Sequence, residues 1–118
     1  MKVSYEGIGQ WAATFACDDA AEGELVKISA NDTVSACAAG DDFCGMVLSV
    51  GRDGGACSVA LGGMVTAGYT VPSQGAAPAL GWAALSADGS GGVQADATGR
   101  SFLVVDVDTS AETVTFVL

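Results

Sequence analysis

The sequence predicts an all-β protein: a small single-domain β-barrel or β-sandwich of about ten short strands, with little or no helix. Three observations predict it. Short apolar runs recur between turn signals, as in a chain that folds back on itself many times. Seventeen glycines stand against two prolines with no G-X-Y period, so glycine marks tight turns rather than collagen or disorder. No window sustains a 3.6-residue apolar period, apart from one short helix expected around 78–81. The 118 residues suit one domain, 1–118, and neither a linker nor a second domain interrupts them. The pattern does not separate barrel from sandwich.

The elements follow in order. Residues 10–16, with Trp11 and Phe15, form an early strand. Residues 25–29 and 33–37 flank Asn31-Asp32, a good turn pair, and make a hairpin. Residues 43–50 are apolar on both faces and read as a central strand. Residues 56–61 alternate, with Cys57, Val59 and Leu61 on the inner face and Ala56, Ser58 and Ala60 on the other. Arg52-Asp53-Gly54-Gly55 is a hairpin turn before this strand. Gly62-Gly63 is a second tight turn after it, which makes 64–69 the returning strand of a hairpin. A loop bearing Pro72 and Pro78 spans 70–80. Residues 82–86 and 92–95 form a hairpin around Asp88-Gly89-Ser90-Gly91. Residues 101–108 and 113–118 form the last pair, with Leu103, Val105 and Val107 on one face and Val114, Phe116 and Leu118 on another.

Charge narrows the function. Four basic residues stand against 14 acidic ones, for a net charge of -10. Lys2, Lys27, Arg52 and Arg100 do not cluster, which argues against nucleic acid, whose binding needs cations that displace phosphate counterions. The same reasoning argues against an anionic membrane surface. Residues 54–87 hold no charged side chain at all. Glycines and prolines break this run too often for a membrane helix, which needs about 20 apolar residues in register. Water-facing positions normally carry charge, so part of the run is expected to lie under another protein chain. The start of the sequence lacks the apolar core of a secretory signal, so synthesis in the cytoplasm is expected. Cys17, Cys37, Cys44 and Cys57 are then expected as small, buried thiols, with paired disulfides the alternative in an oxidising medium.

Reactive groups are sparse. With no histidine, Ser-His and Cys-His arrangements are excluded. The cysteine spacings do not match a zinc ribbon. Asp106 and Asp108 share one side of a strand and resemble a Ca²⁺ ligand pair, but solvated turn carboxylates explain them as well. The glycine turns join strands and lack the phosphate-cradling pattern. No catalytic, cofactor or metal residue is expected. The expected contact residues are Tyr69, Val71, Pro72, Pro78, Leu80 and Trp82 in the uncharged run. To them are added Val3, Tyr5 and Ile8 of an N-terminal arm over 1–9, of the kind that adds a strand to a neighbour's sheet edge. A frayed terminus or a first edge strand is the plainer account of that segment.

The segments AEGELVKIS, AGDDFCGMVLSV, GACSVALGGMVTAGY and PALGWAALSADGSGGV, with the closing RSFLVVDVD, cover most of 20–95 and part of the end. In the order of these segments the chain resembles the decoration or cement proteins of bacteriophage heads and related small phage β-barrel proteins. The resemblance implies a homo-oligomer, often a trimer, on the outside of a capsid in contact with the major capsid protein. It implies a virion protein with no active site and no cofactor. The alternative expectation is a glycan- or partner-binding module of a phage tail or head fibre, with an exposed row of Trp11, Tyr69 or Trp82. A small hydrolase using Asp106 and Asp108 ranks last.

Overall fold

The computed structural model describes residues 10–52 and 55–118; Val3, Tyr5, Ile8 and the expected arm lie outside the described residues. Ten strands follow one another: β1 (Trp11–Asp18), β2 (Leu25–Ala30), β3 (Thr33–Ala36), β4 (Gly45–Val50), β5 (Ala56–Gly62), β6 (Met64–Gly68), β7 (Gly81–Ala87), β8 (Val93–Ala95), β9 (Arg100–Asp108) and β10 (Thr113–Val117). No helix forms at 78–81, where Pro78 is buried in an irregular segment.

The first five strands close a barrel in the order β1-β3-β2-β4-β5. Closure comes from β1, which runs antiparallel to β5 along Phe15↔Cys57 and parallel to β3 along Cys17↔Val34. The last five strands form a second sheet, β6-β10-β9-β7-β8. Its two ends meet at a single parallel bridge, Tyr69↔Val93, where the Thr70 N–H donates to the Val93 carbonyl at 2.9 Å.

The hairpins expected at β2–β3, β4–β5, β7–β8 and β9–β10 all form. The Gly62-Gly63 hairpin does not. β5 stays in the barrel and β6 enters the second sheet, so the two glycines hand the chain from one sheet to the other. Gly63 has φ +92°, and a Cβ there would stand 2.6 Å from the Gln10 Cα, so only glycine fits the crossing. Sequence alternation cannot tell such a crossing from a tight turn.

The barrel interior is aliphatic: Val26, Val34, Val47, Cys57 and Val59, with Phe15, Cys17 and Leu61 against them. The second cluster lies between the barrel wall and the second sheet and holds Leu25, Phe43, Met46 and Ala60 from one side and Val65, Leu85, Val104, Val114 and Phe116 from the other. Met46 and Ala60 face this cluster while their neighbours Val47 and Val59 face the barrel interior, so β4 and β5 are buried on both faces. Phe43, Phe102 and Phe116 meet at centroid distances of 4.9, 5.3 and 5.8 Å, one pair stacked and two edge-on.

A β-bulge corrects the expected face of β9. Thr115 pairs with Asp106, yet the next residue, Phe116, pairs with Val104, so Val105 is an extra residue. Phe102 and Val104 are therefore the buried side chains before the bulge, and Val107 packs against the core after it. Leu103 points the other way.

Candidate interaction surface

The register places one row of side chains across four strands. Trp82 of β7 pairs with Leu103 of β9, Leu103 with Val117 of β10, and Val117 with Met64 of β6. Directly opposed residues project from the same face of a sheet. Their strand neighbours Phe102, Val104, Phe116 and Val65 are buried, so the row lies on the outer face. Trp82 is 76% exposed, and Leu103, Val117 and Met64 are half-buried. The next outer row along the strands is polar: Asp106, Thr115 and Thr66, whose two threonine hydroxyls are 2.8 Å apart. Asp108 stands beyond it, opposite Thr113.

Arg100, at the start of β9, is paired with the buried Leu85 and shares the face of Phe102, opposite the row, at the end of the sheet. With Trp82, Leu103 and Val117 it lines an open cavity of about 200 Å³. Its guanidinium lies 5.1 Å from the centroid of the Phe102 ring. Among the described residues the one ion pair is Lys27–Asp41, at 2.6 Å, so Arg100 has no carboxylate partner there.

The contact residues expected from sequence divide. Trp82, Leu80 and Val71 are exposed, the last two at 68% and 47%. Pro72 is half-buried and its carbonyl accepts the Gly75 N–H at 2.8 Å, which folds 72–75 into a turn. Pro78 is buried. Tyr69 is 7% exposed and belongs to the core, with its N–H donated to the Glu112 carbonyl at 3.0 Å. The lack of charge near Tyr69 and Pro78 therefore reflects burial within the chain itself. Of Trp11, Tyr69 and Trp82, the two tryptophans are exposed and Tyr69 is buried, and the two tryptophans stand on different sheets rather than in one row. Trp11 sits on the barrel, its indole packed over Gly62, and Trp82 is on the other sheet.

Sequence reading missed Met64, Leu103 and Val117. A usable signal was present in WAALSA: if Leu85 is core, Trp82 three residues earlier lies on the opposite face of a strand. The bulge hid Leu103.

The other polar features are occupied locally. A cleft of about 350 Å³ between the two sheets is lined by Glu22, Glu24, Asp88 and Tyr69. Asp88 there accepts the Ser90 and Gly92 N–H groups at 2.7 and 3.0 Å and the Thr70 hydroxyl at 2.8 Å, and Glu24 accepts the Ala21 N–H. These bonds shape the turns. Among the described residues no three His, Cys, Asp or Glu side chains converge to hold a metal. Hydrogen bonds from the Thr98 hydroxyl and N–H and from Ser86 hold Asp96 below its ordinary pKa. The bond from Lys27 does the same for Asp41, and Lys27 is raised in turn. The cysteines are free, and burial pushes Cys37 and Cys57 up to about 11 and raises Cys44, so these thiols stay protonated near neutrality.

Compared with models of known protein families and with curated proteins, the chain matches none.

Proposed function

We propose that the chain is a non-enzymatic structural protein that assembles with itself and seats on the outside of a phage capsid, where it stabilises the shell. It is made in the bacterial cytoplasm and carried in the virion, with the major capsid protein as its partner. A homotrimer is the form that the resemblance to decoration proteins implies. The observation that carries the reading is the outer face of the second sheet. An acidic chain of net charge -10 presents there an apolar row ending in a Trp that is 76% exposed, and Leu80 and Val71 of the loop before β7 are exposed as well. Contiguous apolar surface on a small protein marks a place where another chain docks.

Such a protein acts by mass action. It binds the assembled lattice rather than the free shell subunit, and so shifts the balance toward the intact shell. Many copies per particle let weak single contacts suffice. The acidic remainder of its surface keeps decorated particles apart.

The test is co-sedimentation with capsid shells of the phage whose genome carries it. Saturable binding is expected, together with a higher temperature or denaturant concentration for shell rupture. Shells that neither retain the protein nor gain resistance would overturn the reading. The alternative, a glycan- or partner-binding module of a tail or head fibre, rests on the cavity that Trp82 and Arg100 share. Binding on a glycan array, lost in Trp82→Ala, would favour it.

A further inference from the structure

We draw no further inference here: the strongest candidate, the apolar row of Trp82, Leu103, Val117 and Met64 on the outer face of the second sheet, carries none, because nothing in the structure shows what covers it.

Discussion

The barrel is filled by Val26, Val34, Val47, Cys57 and Val59, whereas the second sheet packs Phe102, Phe116, Leu85 and Val104 toward Phe43 and Leu25. The difference follows from geometry. A barrel of five strands has a narrow interior, because diameter grows with strand number, and β-branched side chains fill it. The space between barrel wall and second sheet is a layer between two surfaces, wide enough for three phenyl rings. Exposure differs in the same sense. The barrel pairs all five strands around and spends one side of its wall on the second sheet. The second sheet gives one face to the core, and its other face holds the apolar row that ends in the exposed Trp82. One half of the chain is a closed barrel, and the other half is a lid for the core that carries the face proposed as a contact surface.

The largest test of this contrast is to cut each core. Phe116→Ala should cost about 3–5 kcal/mol, since the ring is fully buried and the cavity cannot collapse onto its neighbours. Val47→Ala in the barrel should cost about 2 kcal/mol. Urea denaturation should show one transition moving in both variants, because β4 and β5 line both cores. Two separated transitions would mean that the halves fold independently. Next in size is the crossing between the sheets. Gly63→Ala forces a side chain into φ +92° and against Gln10, and should cost about 1–3 kcal/mol by the same measurement.

Smaller effects come from titration. Cys37 and Cys57 hold their protons to about 11 in the folded chain, against about 8.5 for a free thiol. The unfolded chain therefore releases these protons first. Stability present below the free-thiol value should be lost as pH rises toward about 11, with thermal unfolding of Cys37→Ala showing a shallower alkaline decline. Iodoacetamide at pH 8 should leave Cys57 unmodified until the chain unfolds. On the acid side, Asp41 and Asp96 have lowered values. Their contribution is present above the ordinary carboxylate pKa and is lost as pH falls through the lowered ones. Asp96→Asn should flatten that acid limb slightly.

Much of the fold was legible because alternation and turn chemistry are local. The turns at Asn31-Asp32 and Asp88–Gly91 and the alternation in 56–61 place their strands within a residue or two. Three features were not legible, each for a non-local reason. Gly62-Gly63 has the chemistry of a hairpin turn, and only the pairing of β6 with β10 shows that the chain changes sheets. The bulge at Val105 reverses the faces of β9, and nothing in FLVVDV marks it. Tyr69 and Pro78 lie in an uncharged run that is partly core and partly surface, and composition cannot divide it. Of the proposed surface, Trp82, Leu80 and Val71 were found from the missing charge. Met64, Leu103 and Val117 needed the register.

The two tryptophans offer the most direct test of the contrast between scaffold and surface. Trp11 on the barrel is 60% exposed and Trp82 on the second sheet 76% exposed, so both should be quenched by acrylamide in dilute solution. Trp11→Phe leaves Trp82 as the only emitter, and Trp82→Phe leaves Trp11. If the proposed self-assembly covers this face, quenching of Trp82 should fall severalfold as the protein is concentrated while quenching of Trp11 stays unchanged. Equal quenching of the two at every concentration, or protection of Trp11 alone, would contradict the account.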